Sequence, residues 1–293
     1  MTPPATVGYR MLEAADAVQD VAIPIHVLYP SEGEAREERF GAYVITVARD
    51  APFTAGPTVL ISHGTGGTPW LYRDLALTLA RSGFVVGLLE HPGNRRGDDA
   101  LAHSLANLEN RPRHLRIAID ALGVERVAVI GHSIGGYTAL AVAGGRPVSM
   151  PNQSDDGATR RIPVVHDRRV RAVVLLAPAV PWFLIEGALT DVDVPILLRV
   201  GAQDPHAPSW ITDVVRRTVR DPSRVDFQQV PGAGHFAFAS PFPPEMVRPD
   251  FPPSQDPPGF DRAAYQPVLY ADVERFLRAN LPSEPGRLDG GAI

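Results

Sequence analysis

Gly131-His132-Ser133-Ile134-Gly135-Gly136, arriving directly after the apolar run Val127-Ala128-Val129-Ile130, is the stretch on which the fold of this 293-residue chain turns. The order is strand, tight turn, helix. A serine held at such a turn needs small residues two before and two after it, because a Cβ at either place would collide with the neighbouring backbone, and Gly131 and Gly135 meet that need. The helix expected from Gly136 to Ala143 carries Ala139, Ala141 and Ala143, small enough for close packing on a sheet. With 26 glycines in the chain the rival reading is a chance match, and the strand before and helix after argue against it.

Outward from this turn, short apolar strands alternate with amphipathic helices. Strands are expected at Thr58–Ser62, Phe84–Leu89, Val170–Leu176, Val194–Val200 and Val225–Val230. Between them, Thr68 and Pro69 open a helix with Leu71, Leu75 and Leu79 on one face, closed by Gly83. A second helix carries Leu115, Ile119 and Leu122 and ends at Gly123. Ile211, Val214 and Val215 mark a third, and Pro267 opens a last one through Leu269, Val273, Phe276 and Leu277. The first fifty residues alternate as sheet at Val7–Leu12, Ile23–Tyr29 and Tyr43–Val47, an antiparallel lead-in. The expectation is a single α/β domain over residues 1–293, with a mostly parallel sheet covered on both faces. Two irregular insertions, 146–167 and the proline-dense 231–258, either roof the site at the carboxyl edge of the sheet or are surface excursions.

Composition narrows the chemistry. The chain has no cysteine, and its 28 basic residues are all arginine. Thiol nucleophiles, disulfides, Schiff-base lysines and P-loop lysines are therefore excluded. A net charge of −5 without clustering gives no sign of a nucleic-acid partner. No apolar run is long enough to span a membrane, and Met1-Thr2-Pro3-Pro4-Ala5 lacks a signal-peptide pattern, so a cytoplasmic protein is expected. Nothing in the sequence bears on oligomeric state.

A serine hydroxyl is a weak nucleophile at neutral pH and needs a base, and a third group to fix that base's tautomer. In the chain order that goes with this turn, acid and base follow the serine. His235 follows a strand through Pro231-Gly232-Ala233-Gly234, whose glycines let the backbone double back over the strand ends, and is preferred to His166 and His206. Asp204 directly follows the strand ending at Val200 and is preferred to Asp191, Asp193, Asp213 and Asp226 as the acid. The loop Ser62-His63-Gly64-Thr65-Gly66-Gly67 leaves a strand and enters a helix, so the main-chain N–H of Thr65, with that of Ile134, is expected to form an oxyanion hole. Read instead as a dinucleotide cradle, that loop fails on spacing, with Pro69 where a glycine is required. His63, His91 and His132 lack the spacing of a zinc site, and Asp155-Asp156-Gly157 lacks the other ligands of a calcium loop, so neither metal nor other cofactor is expected.

These landmarks resemble the α/β-hydrolase superfamily, and more narrowly its dienelactone-hydrolase-like and platelet-activating-factor-acetylhydrolase-like branch. The likeness runs from about Ile25 to Leu277. It rests on Tyr29-Pro30-Ser31, Ile61 to Gly67, Glu90-His91-Pro92-Gly93-Asn94, Gly131 to Leu140, and Gly234-His235. It implies a cofactor-free serine hydrolase that cleaves esters through an acyl-enzyme. True dienelactone hydrolases use cysteine where this chain has Ser133. The acetylhydrolases tend to carry their acid after the strand that follows the elbow helix, where this chain has Leu176-Ala177-Pro178-Ala179. The reading is thus an esterase with Ser133, Asp204 and His235 as triad, Thr65 and Ile134 as oxyanion donors, and Trp182 and Phe183 as an apolar wall for short to medium acyl esters. Its rivals are acyl transfer or perhydrolysis by the same triad, and a silent ligand-binding protein on the same fold.

Overall fold

In Thr58-Val59-Leu60-Ile61-Ser62 the period-two alternation of a strand sends Val59 and Ile61 to one face of the sheet and Leu60 to the other, and each joins a separate buried apolar cluster. The same division runs through Val127 and Val129 against Ala128 and Ile130. A strand apolar on both faces must be covered on both, which is why helices lie on either side. In the computed structural model, residues 6–154 and 156–281 are described. Met1–Ala5, and Asp155 of the Asp155-Asp156-Gly157 stretch, lie outside the described residues.

Ten strands form one sheet: β1 (Thr6–Asp16), β2 (Val21–Ser31), β3 (Arg36–Phe40), β4 (Tyr43–Arg49), β5 (Thr58–Ser62), β6 (Val85–Leu89), β7 (Val127–His132), β8 (Val170–Leu176), β9 (Ile196–Gly201) and β10 (Val225–Val230). Their order across it is β10-β9-β8-β7-β5-β6-β2-β1-β4-β3. From β10 to β6 all neighbours are parallel, and β2 then joins β6 antiparallel through Ile25 opposite Leu89. The lead-in is antiparallel at β1–β2 and β3–β4, but β1 and β4 run parallel through Gly8 opposite Ala48. This is an α/β fold with a mostly parallel sheet and helices on both faces.

Helices α1 (Arg73–Arg81), α2 (Leu105–Ala121), α3 (Ile134–Val142), α4 (Ser209–Thr218) and α5 (Arg262–Asn280) complete it. Apolar residues of α1 and α5 share one cluster, and those of α2, α3 and α4 the other. Several boundaries differ from expectation, three of them at helix starts with a local cause. Pro69–Tyr72 is a short 3₁₀ turn before α1, and Thr68 makes no side-chain cap. The last helix starts at Arg262, five residues before Pro267, because Asp261 caps it by accepting from Ala264 N–H at 3.0 Å. Helix α2 begins at Leu105 under a Ser104 cap and continues through Pro112, so its first two turns were not legible as helix.

Among the described residues, both irregular insertions are tied to neighbouring elements. Residues 146–167 run up beside the loop after β8, with Val148 N–H on Trp182 carbonyl at 2.9 Å and a bridge between Val148 and Arg161. Residues 231–258 are pinned to the start of α1, where Ser240 N–H reaches Leu71 carbonyl at 2.6 Å and Arg73 donates to Pro241 carbonyl. No helix among the described residues is long and apolar enough to cross a membrane.

Candidate active site

Strand β7 ends by turning through Ser133, whose φ of 54° and ψ of −123° place a non-glycine residue in strained backbone. The surroundings fix it there. Ser133 N–H bonds Leu176 carbonyl at 3.1 Å, and its own carbonyl accepts from Gly136 at 2.9 Å and Ala179 at 2.8 Å. A Cβ on Gly131 would lie 2.2 Å from Gly135 carbonyl oxygen, and one on Gly135 would lie 2.0 Å from Ser62 carbonyl oxygen. The elbow helix therefore rests directly on the end of β5.

Asp204 follows β9 and is buried; His235 follows β10 after the turn at Gly232 (φ 72°) and is buried beside it. Asp204 Oδ2 stands 2.8 Å from His235 Nδ1, while its Oδ1 accepts the main-chain N–H of His206 at 2.8 Å and of Ala207 at 2.9 Å. Burial alone would raise the Asp204 carboxyl, but the His235 bond and these two N–H groups together hold it below the usual carboxylate value. His235 Nδ1 therefore carries the proton and leaves Nε2 as acceptor. The ring packs 4.8 Å from the ring of His132, whose Nε2 donates to His235 carbonyl at 2.9 Å. His132 immediately precedes Ser133, so the His235 ring packs beside the residue next to the serine. Ser133 Oγ makes no hydrogen bond among the described residues, to His235 or to any other group.

The loop after β5 turns back with Gly67 N–H on Gly64 carbonyl at 3.1 Å. A Cβ built on Gly64 would stand 3.2 Å from Ser133 Cβ, so this loop lies against the serine. Exposed Thr65 has a main-chain N–H that donates to no acceptor among the described residues. Ile134 is the first residue of α3, where an N–H has no partner within the helix. The N–H groups of both expected oxyanion donors are thus uncommitted among the described residues, Ile134 next to Ser133 and Thr65 one residue beyond Gly64.

Trp182 and Phe183, expected as an apolar wall, are buried in packing contacts. Phe183 is fully buried and Trp182 nearly so, with ring centroids 5.6 and 4.8 Å from Tyr137, and Trp182 Nε1 donates to Gln153 Oε1 at 2.8 Å. They seal α3 against the 146–167 insertion, because the chain turns inward after β8. The apolar ring at the site is Phe236, half-buried and 5.1 Å from His235. His206 was set aside as too near Asp204, yet its exposed ring stands edge-on to His235 at 5.0 Å. His166 bonds Gly145 carbonyl through Nε2 at 3.1 Å, remote from the triad candidates.

Behind the loop lies a cluster that sequence reasoning missed. Arg111 on α2 is wholly buried and donates to Thr138 Oγ1 at 3.1 Å, Asn94 Oδ1 at 2.7 Å, Ser62 Oγ at 3.2 Å and the His63 carbonyl. Burial pulls this guanidinium down to about 9, which leaves it cationic at neutral pH. Burial, and then the Arg111 charge, bring His63 to about 3 and hold His91 well below its ordinary value, so both are neutral. The signal for this cluster was the polar series Asn107, Asn110, Arg111, His114, at i, i+3, i+4 and i+7, the spacing of one helix face.

The alpha/beta hydrolase fold family matches residues 57–188. Among curated proteins, a 2-hydroxy-6-oxononadienedioate/2-hydroxy-6-oxononatrienedioate hydrolase of Dechloromonas aromatica is 32% identical over 93 residues, 31% of this chain and 32% of that protein. The chain thus spans about a third of the length of that relative. Among solved structures, a ferulic acid esterase from Streptomyces cinnamoneus aligns over 100% of this chain and 94% of its own at a TM-score of 0.66 and 18% identity. A dienelactone hydrolase-like promiscuous phosphotriesterase from metagenomic libraries aligns over 94% and 99% at 0.58 and 16%. At those identities the likeness is one of fold.

Proposed function

We propose that this chain belongs to the α/β-hydrolase superfamily and is a serine hydrolase of carboxylic esters. The observation that carries the reading is the 2.8 Å contact of Asp204 with His235 Nδ1, at the edge where Ser133 is held strained in its turn. His235 Nε2 takes the Ser133 proton as Oγ bonds to the ester carbonyl carbon, and the carbonyl electron pair moves to oxygen. The N–H groups of Thr65 and Ile134 receive that oxyanion. Collapse breaks the bond to the alcohol oxygen, to which His235 returns the proton, and leaves an acyl-Ser133. Water then repeats the sequence and frees the acid. Asp204 stays ionised and keeps His235 in the tautomer that accepts at Nε2. With Trp182 and Phe183 in the core, Phe236 is the apolar side chain next to the reacting groups.

Treatment with a fluorophosphonate, and turnover of a panel of nitrophenyl esters graded in acyl length, test the proposal. The parent is expected to label once per chain and to release nitrophenol, and Ser133→Ala to do neither. A folded parent that never labels would overturn it in favour of a binding role.

A further inference from the structure

One buried cation is tied, directly or through one hydroxyl, to the backbone beside both expected oxyanion donors. Arg111 Nε donates to Thr138 Oγ1 at 3.1 Å, and that hydroxyl donates in turn to the Ile134 carbonyl at 3.1 Å. A second guanidinium nitrogen donates to the His63 carbonyl, in the peptide that leads into Gly64 and Thr65. One leg thus ends two residues before Thr65, and the other, through the Thr138 hydroxyl, on the carbonyl of Ile134.

The rest of the cluster holds Arg111 in one orientation. A guanidinium has donors only, so Ser62 Oγ accepts from it and passes its own proton to His91 Nε2 at 2.8 Å. His91 Nδ1 then donates to His114 Nδ1 at 3.2 Å, and His114 Nε2 faces Asp16 Oδ2 at 3.3 Å. Asp16 is itself gripped by Arg113 at 2.9 Å. On the other side Asn94 accepts from Arg111 and donates to Asp99 at 2.6 Å. Every group in this chain has a partner, and no carboxylate bonds Arg111 directly among the described residues. Burying an arginine without a direct counter-ion carries a desolvation cost that hydrogen bonds to neutral groups only partly offset. A purely structural network would do better with an apolar side chain.

We propose that Arg111 is a positioning residue for the oxyanion hole, holding the Gly64–Thr65 and Ile134 peptides in register and aiming an unneutralised positive charge at the place where the oxyanion forms. The inference rests on the esterase reading. The bond to the His63 carbonyl fixes the peptide from which the chain enters Gly64 and Thr65. The charge lies behind the loop, so it acts on the transition state without touching substrate.

The test compares the parent, Arg111→Met, Arg111→Lys and Thr138→Val on a nitrophenyl ester, with end-point fluorophosphonate labelling to count functional sites. Per labelled site, Arg111→Met is expected to lower kcat about a hundredfold with KM within about threefold, the loss that accompanies removal of an oxyanion donor. Its affinity for a phenylboronic acid, which mimics the tetrahedral state, should fall in parallel with kcat/KM. Arg111→Lys, which keeps charge but not the fork, should lose about tenfold, and Thr138→Val, which cuts one leg, also about tenfold. A folded, fully labelled Arg111→Met with kcat within threefold of the parent overturns the proposal. If that variant fails to fold, Thr138→Val decides, and kcat within twofold of the parent, or failure of both to fold, assigns Arg111 to structure alone. A parent that neither labels nor turns over would instead sink the esterase reading, which keeps the two failures distinct.

Discussion

Asp204 spends one carboxylate oxygen on the backbone and the other on His235, and this division is what makes it an orienting group. The main-chain N–H groups of His206 and Ala207 fix Oδ1, so the carboxylate cannot rotate, and Oδ2 is left aimed at Nδ1. Asparagine at 204 would occupy the same space and could still accept the two N–H bonds through its carbonyl oxygen. Its amide would then face Nδ1 as a donor and select the wrong imidazole tautomer. Asp204→Asn is therefore expected to lower kcat by about a thousandfold or more while leaving fluorescence and melting close to the parent. Steady-state rates on a nitrophenyl ester at neutral pH check this, and a loss below about tenfold would show that another group orients His235.

At the scale of elements, the parts of the fold legible in the sequence are those whose geometry is dictated locally. Strands β5, β6, β7, β8 and β9 announce themselves as short apolar runs, and the elbow by two glycines that steric contact with Gly135 and Ser62 makes obligatory. Strand β3, Arg-Glu-Glu-Arg-Phe, has no apolar alternation and exists because β4 offers it a ladder at the sheet edge. The start of α2 was hidden by its buried polar face and by Pro112, and with it the cluster behind the candidate site. Trp182 and Phe183 were placed at the correct strand end, but which way the chain turns there is decided by Tyr137 and the 146–167 insertion, both distant in sequence. Helix α5 offers a direct test of the boundary that proline misplaced. If Asp261 is its cap, Asp261→Ala removes the acceptor for Ala264 N–H and lowers stability by about 1 kcal/mol. Urea midpoints for the two proteins measure it, and equal midpoints would mean that the first turn frays in solution.

Across the whole molecule, the unusual feature is how much histidine the fold holds neutral in its interior. Burial is the largest cause in each case, and it brings His63, His114 and His132 to about 3 and keeps His91 well below its ordinary value. In the unfolded chain the same imidazoles take up a proton near pH 6.5. Their folded values lie lower, so their contribution to stability is fully present above about pH 6.5 and drains away as pH falls from there toward 3. All four act in the same direction, so each lowers stability further as pH falls below about 6.5. Glu90 adds to this at still lower pH: burial would raise it, but His26 and Arg95 bring it to about 2. The chain is therefore expected to lose melting temperature steeply from about pH 6.5 to about pH 5, with three to four protons taken up per molecule on unfolding. Calorimetry across that range gives the proton count, and His114→Gln, which can still pair with His91, should reduce it by about one. A melting temperature that stays level from about pH 7 to about pH 5 would mean that these imidazoles are protonated in the folded protein, and that the hydrogen-bond chain from Arg111 to Asp16 runs differently from the one described.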